Sequence, residues 1–277
     1  MRTLLLSLLA AATCASSHAS LSRHGNDQSM RARLHRLRGG TSEDAAPSSQ
    51  ALTWQEIVGK LNNVPVFALV DSSGGLVGTH NTATDSRTIT FYLDAGEAQE
   101  ALRSSQQGNL AATITSSVDV HSLRLTALGL GAAFSLCKGF SNDPASIAEV
   151  HKLWGSAANF DGELKLQGSH ALVAATKDAL QTMCLEAGIE TGCWTLPVLG
   201  SDSLTSSTSS PMFFTLADLK RVWSSASGGA DDDSMPKDVK VLDLRMLVAQ
   251  MQTDASPWST LEFVAPPDAV ELARELA

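Results

Sequence analysis

Leu196-Pro197-Val198-Leu199, continuing into Gly200-Ser201-Asp202-Ser203-Leu204, echoes Val64-Pro65-Val66-Phe67 from the first half of the chain. That echo decides the fold, because two further blocks repeat in the same order. Thr90-Phe91-Tyr92-Leu93-Asp94 is answered by Met212-Phe213-Phe214-Thr215-Leu216. Leu164-Lys165-Leu166, with Val173 beyond it, is answered by Leu261-Glu262-Phe263 with Val270. A repeat of this length predicts a duplicated α/β unit, with copies over about residues 52–186 and 187–277, and not a short-period solenoid. Neither copy carries a set of side chains suited to catalysis.

Outward from Val64, the pattern predicts alternating elements. Trp54, Ile57, Val58 and Leu61 recur at helical spacing behind Thr53, a good cap. Residues 64–70 form a continuous apolar run, the mark of a strand buried on both faces. Residues 71–75 read as a turn and Leu76 to Thr79 as the returning strand of a hairpin. Thr88 to Leu93 is a strand, and Asp94 caps a helix from Ala95 to Arg103. Residues 110–120 are expected as a strand, His121 to Leu130 as a helix, and 131–163 as an insert. In the second half, strands are expected from Trp194 to Leu199, Pro211 to Thr215, Val239 to Leu244 and Leu261 to Val264. Helices are expected from Leu216 to Ser224, Leu247 to Met251 and Asp268 to Leu276, the last entered through Pro266-Pro267. The tight hairpins point to an α+β fold with mixed, largely antiparallel sheets related by an internal pseudo-twofold.

The chain of 277 residues has a net charge of −9, unevenly spread. Six Arg against Asp27, Glu43 and Asp44 give the first fifty residues +3, leaving −12 beyond them. An acidic body is a poor partner for polyphosphate, which argues against nucleic-acid binding. Residues 4–12 are apolar behind Arg2, too short to span a bilayer, and Ser17-His18-Ala19 is a small-residue cleavage site. This is a secretory signal peptide. Residues 20–50 then carry Arg23, Arg31, Arg33, Arg36 and Arg38 with abundant Ser and few acids, which is transit-peptide composition. Together the two resemble the bipartite presequences of algae with complex plastids, with Leu21 just past the cleavage point. A linker in a secreted protein has the same composition. No later segment is long and apolar enough to span a membrane, so a soluble mature protein is expected.

The motif residues carry a resemblance. Leu196-Pro197-Val198-Leu199-Gly200-Ser201-Asp202-Ser203-Leu204, with Pro211-Met212-Phe213-Phe214 beyond, is similar to the run V-P-V-F-Q-S-D-x-L and then P-V-F-F of the Tic twenty-two-like (Tic22-like) proteins. Val64-Pro65-Val66-Phe67 and Phe91-Tyr92-Leu93-Asp94 resemble the first-half pattern of that family. Here Leu199-Gly200 stands where aromatic-Gln is usual, and Ser169-His170 replaces a Pro-containing turn. The resemblance covers about residues 52–277. It implies a soluble factor of the plastid-envelope intermembrane space, or of the matching space in a complex plastid. Such a factor acts in a chaperone-like way on preproteins passing between outer and inner translocon components. It also implies no cofactor, no metal and no catalytic residue; a docking subunit that handles no clients is the alternative.

Other chemistries find little support in the residues. No C-x-x-C occurs, which removes a thioredoxin-like redox site and a zinc ribbon. Cys184 and Cys193 are either a disulfide or, as preferred, two buried small hydrophobes. His80, His121, His151 and His170 lack ligand spacing. Gly200-Ser201-Asp202-Ser203 falls short of the hydrolase elbow G-x-S-x-G. Asp231-Asp232-Asp233 has no Ca-loop context, and Gly129-Leu130-Gly131 lacks the third glycine of a dinucleotide site.

The leader reading is tested directly. A fluorescent fusion of residues 1–50 is expected at a plastid in an algal cell, and N-terminal sequencing of the mature protein should start beyond Ala19. A cytosolic fusion, or a mature protein beginning at Met1, overturns it.

Overall fold

The computed structural model describes residues 51–81, 86–107, 119–140, 160, 162–186, 194–228, 235–253 and 258–277. They lie in one compact unit spanning Ala46–Ala277. The elements run α1 (Trp54–Leu61), β1 (Pro65–Val70), β2 (Thr79–Asn81), β3 (Ser86–Tyr92), α2 (Ala95–Gln106), β4 (Arg124–Gly129), α3 (Leu130–Leu136), β5 (Glu163–Gln167) and α4 (His170–Glu186). After them come β6 (Pro197–Ser201), β7 (Ser210–Phe213), α5 (Leu216–Ala226), β8 (Val239–Asp243), α6 (Leu244–Met251), β9 (Leu261–Val264) and α7 (Pro267–Glu275). The fold class is α+β, with two mostly antiparallel sheets.

In the first sheet β1 pairs antiparallel with β3 and β4, β2 antiparallel with β3, and β5 runs parallel to β3. In the second, β6 pairs antiparallel with β7 and β8, and β9 runs parallel to β7. The central strands are β1 and β6, buried almost throughout, as their unbroken apolar runs require. Phe67 stands opposite Tyr92, and Leu199 opposite Phe213. Pro65 faces Gly129, and Pro197 faces Asp243. Pro lacks an N–H, so each proline can only begin its strand.

Alternate residues of each central strand enter different cores. Val66, Ala68 and Val198 join Ile57, Leu61, Phe91, Leu166, Leu247 and Phe263 in one large core shared by both sheets with α1, α3 and α6. On the other face of the first sheet, Phe67 and Leu69 pack with Ala95 and Ala98 of α2 and with Ala269 and Leu272 of α7. On the other face of the second, Leu199 and Phe213 pack with Leu219 of α5 and Leu172 of α4. The helix that follows β5 therefore covers the second sheet, and the helix that follows β9 covers the first. At the sheet margins β4, β5, β8 and β9 carry Arg124, Lys165, Lys240 and Glu262, charges that discourage edge pairing with another chain.

Side chains close the helix starts. Thr53 and Glu56 form a reciprocal capping box, while Asp94, Thr215 and Asp243 accept from the backbone N–H of Glu97, Asp218 and Arg245. At the end of α3, Lys138 takes φ of 57° and Gly139 N–H returns to the Phe134 carbonyl, a Schellman stop.

Several sequence expectations are corrected. Residues 121–130 are not a helix: a short 3-10 turn at Val120–Ser122 leads into β4, and helix begins only at Leu130. Leu125 joins the outer core and Leu128 the shared core, so the strand is apolar on both faces and shows no clean alternation. Leu76 to Thr79 does not return along β1 as a strand. It makes one bridge, Val70 to Leu76, and β2 instead pairs with β3. The repeat alignment of Phe91 with Phe213 slips by one, since Tyr92, not Phe91, holds the position opposite β1 that Phe213 holds opposite β6. Helix α6 starts three residues before the expected Leu247. Residues 110–118, most of the expected insert, and Asp231-Asp232-Asp233 lie outside the described residues.

Helix α1 and the start of α3 pack backbone to backbone. A Cβ on Gly131 would lie 2.6 Å from the Val58 carbonyl oxygen, and one on Gly129 would strike the Asn62 side chain. Asn62 Oδ1 also accepts from the Ala132 N–H at 3.1 Å. Gly59, on the open side of α1, has nothing within 4 Å of such a Cβ. Gly131→Ala should therefore destabilise by about 1–3 kcal/mol through overpacking. Gly59→Ala should stabilise by about 0.5–1 kcal/mol through helix propensity. Urea denaturation of the two variants checks both signs.

Candidate functional site

The residues singled out by the repeated motifs fall mainly inside the protein. Val64, Val66, Phe67, Phe91, Leu196, Val198, Phe213 and Phe214 are all essentially fully buried. Pro65 and Pro197 open the central strands, and Pro211 lies in β7 opposite Glu262 of β9. These residues build the two sheets and offer nothing to a ligand directly.

Ser201 and Asp202 are different. Ser201 Oγ, buried at the end of β6, donates to Asp238 Oδ1 at 2.8 Å. The Ser203 N–H and hydroxyl also donate to that carboxylate, at 2.9 and 3.1 Å. Asp202 begins a 3-10 turn and pairs with Lys240 of β8, while Leu204 packs into the outer core. The Ser-Asp-x-Leu run is thus a fastening that ties the end of β6 to the start of β8. The hydrogen bond from Ser201, foremost among several, holds the Asp238 carboxyl below the usual range against a smaller opposing effect of burial.

Gly200 follows Leu199 in β6 and lies against Met212 of β7. A Cβ at position 200 would lie 2.9 Å from Met212 Sδ. A small residue thus leaves room for a long one across the strand pair.

Asp243 and Arg245, which belong to none of the repeated motifs, form a buried ion pair. Asp243 is fully buried and accepts from Arg245 Nε at 2.8 Å and Nη2 at 3.1 Å. The guanidinium lies 5.0 Å from the centre of the Trp194 ring and 3.9 Å from Cys184 Sγ. Burial pulls the Arg245 pKa down, yet the bonds and charge of Asp243 outweigh it and leave the group above its ordinary value. Burial, with Asp243 adding, pushes the Cys184 thiol up; burial, with Glu163 adding, pushes Cys137 well up. Both are poor nucleophiles in this state. Cys184 is a free thiol, and Cys193 lies outside the described residues.

A second fastening joins α2 to α4. Glu97 accepts from Gln167 Nε2 at 2.9 Å and from the His170 N–H at 2.6 Å, and its Oε2 lies 3.2 Å from His170 Nδ1. Among the described residues, no group of three or more His, Cys, Asp or Glu side chains gathers as metal ligands. Among them also, no helix is long and apolar enough to cross a membrane. Exposed large apolar side chains are Leu185, Leu216, Val270 and Leu276, all on or beside helices of the outer layers.

The fold and its fastenings describe a two-sheet α+β protein. Compared with solved structures, the chain is similar to Tic22 from Plasmodium falciparum, with a TM-score of 0.54 over 79% of this chain and 96% of that one, at 16% identity. It is also similar to Anabaena Tic22, a protein-transport protein, with a TM-score of 0.49 over 82% of this chain and 98% of that one, at 17% identity. No protein-family model and no curated protein matches it. The chain has a Tic22-like fold.

The fastening at Asp238 has a pH signature. A depressed folded-state pKa contributes stability above the ordinary carboxylate range, lost as pH falls through the folded value. Ser201→Ala removes the leading cause, so the variant should be the less stable near neutral pH. The gap to wild type should narrow as pH falls below about 4. Urea midpoints across pH 2 to 7, on the order of five points, check this; a gap constant with pH contradicts it.

Proposed function

We propose that this protein is a non-enzymatic, chaperone-like factor of protein import into plastids. It acts in the envelope intermembrane space or the equivalent space of a complex plastid. Its partners are preproteins in transit and components of the outer and inner envelope translocons, and nucleic acid is not among them. The observation that carries this reading is the Tic22-like fold. The basic, acid-poor leader supports it independently, since transit peptides share that composition.

We further infer that the body is an internal duplication. Supporting this are the shared strand order of the two sheets, the matching antiparallel and parallel pairings, and a side-chain-capped helix after β3 and after its counterpart β7. Leu130 N–H bonds to the Val64 carbonyl as Leu244 N–H bonds to that of Leu196. Leu166 and Phe263 likewise lie opposite Phe91 and Met212 in parallel pairs.

A holding factor binds clients through apolar burial, worth about 25 cal/mol per Å² before ordering costs are subtracted. Each contact is accordingly weak, which suits a client that must move on. The test is light scattering of an aggregating client with and without the purified body, at low and high salt. Protection that survives salt is the expected result. Protection that fades with salt points to simple attraction by the acidic body. No protection at any salt overturns the holding function in favour of a docking subunit.

A further inference from the structure

Helix α7 is the last of the described helices, and few side chains anchor it. It lies across β1 and beside α2, over Phe67, Leu69, Ala95, Ala98 and Leu125. Its anchors are Ala269 and Leu272, with Ala273 partly buried. Thus only one full-size apolar side chain of the helix reaches the groove. Among the described residues no side-chain hydrogen bond or ion pair ties α7 to the sheet or to α2. Helix α1, by contrast, is fastened by Lys60 Nζ to the carbonyls of Ser259 and Leu261, and α4 by Glu97. The outward face of α7 carries Asp268, Glu271 and Glu275 against Arg274, on a body already at −12.

We propose that α7 is a removable cover, and that the groove beneath it accepts in exchange a basic amphipathic helix of another polypeptide. The groove is shaped for a helix, because a helix fills it. It selects small and Leu-sized anchors three residues apart, as Ala269 and Leu272 are. An incoming helix with a basic outer face gains from the acidic body where the acidic face of α7 does not. Transit peptides are basic, acid-poor and amphipathic, so they have this chemistry. That last step rests on the import function above; the existence of the groove does not. What keeps α7 seated is its tether, which gives it an effective concentration in the mM range. A free copy of the helix is excluded until the tethered one is undocked.

The experiment uses the full chain with Ala269→Glu and Leu272→Asp together, and as probe a fluorescent peptide of residues 266–277. The peptide should bind this variant on the order of tenfold or more tighter than wild type. A peptide carrying Leu272→Asp should lose that binding. One carrying Asp268→Lys, Glu271→Lys and Glu275→Lys should bind tighter at low salt, an advantage that disappears at high salt. Equal binding to wild type and variant, or none to a variant that still melts cooperatively, overturns the proposal. Should the variant not fold, hydrogen exchange on the unmodified chain decides. Amides of α7 must exchange by local opening, ahead of those of β1 and β6; exchange of all three together overturns it. Peptide exchange without client protection in light scattering would leave the groove and remove the holding function, so the two failures are distinguishable.

Discussion

Everything in this fold follows from two central strands that are apolar on both faces. Neither β1 nor β6 has a side that water can cover, so each sheet needs a layer on either face. One layer is common: the inner faces share a core with α1, α3 and α6. The outer layers are made by exchange, since α4 crosses from the first sheet to the second and α7 from the second to the first. On the α4 side Glu97 and Arg245 fix the exchange, and they tie the two halves together. Leu52 N–H bonding to the Met251 carbonyl, and Lys60 reaching Ser259, add polar ties across the same divide.

The two sheets solve one junction in two ways. Opposite the proline of each central strand, the edge strand ends and a helix starts, at Gly129-Leu130-Gly131 in one half and Asp243-Leu244-Arg245 in the other. The glycines admit α1 to within contact of the backbone. The charged pair instead grips Trp194 and the last turn of α4. Removing one partner of such a buried pair leaves an uncompensated charge, a cost of about 3–5 kcal/mol, whereas replacing both with apolar residues is often neutral. The pair is therefore better understood as fixing how α4 sits than as a source of stability.

Local chemistry was legible in the sequence, and long-range compensation was not. The runs at 64–70 and 261–264 and the caps at Thr53 and Asp94 could be read because each depends on its neighbours alone. Strand β4 was misread because Leu123, Leu125, Leu128 and Leu130 serve two cores and follow no single period. Asp243 and Arg245 went unnoticed because the expected helix began at Leu247, which hid an acid in the N-cap position just before Leu244. Asp238 lies between a charge-rich loop and a strand, and only the fold brings it to Ser201. Most of the motif residues are buried, so their place is internal. Pro65, Phe67 and Phe213 specify strands, and a pattern of residue types cannot separate a position that specifies shape from one that meets a partner.

The placement of α7 on the first sheet also sets an order of events. The face of Phe67 and Leu69 is made early in the chain, yet its cover arrives only with Ala269 and Leu272. A polypeptide that emerges N-terminus first, from a ribosome or from a pore, keeps that face open until its last helix is free. Contacts between residues so far apart in sequence form slowly as well. Until α7 has been delivered the first sheet stays uncovered on that face, and the chain can still be threaded.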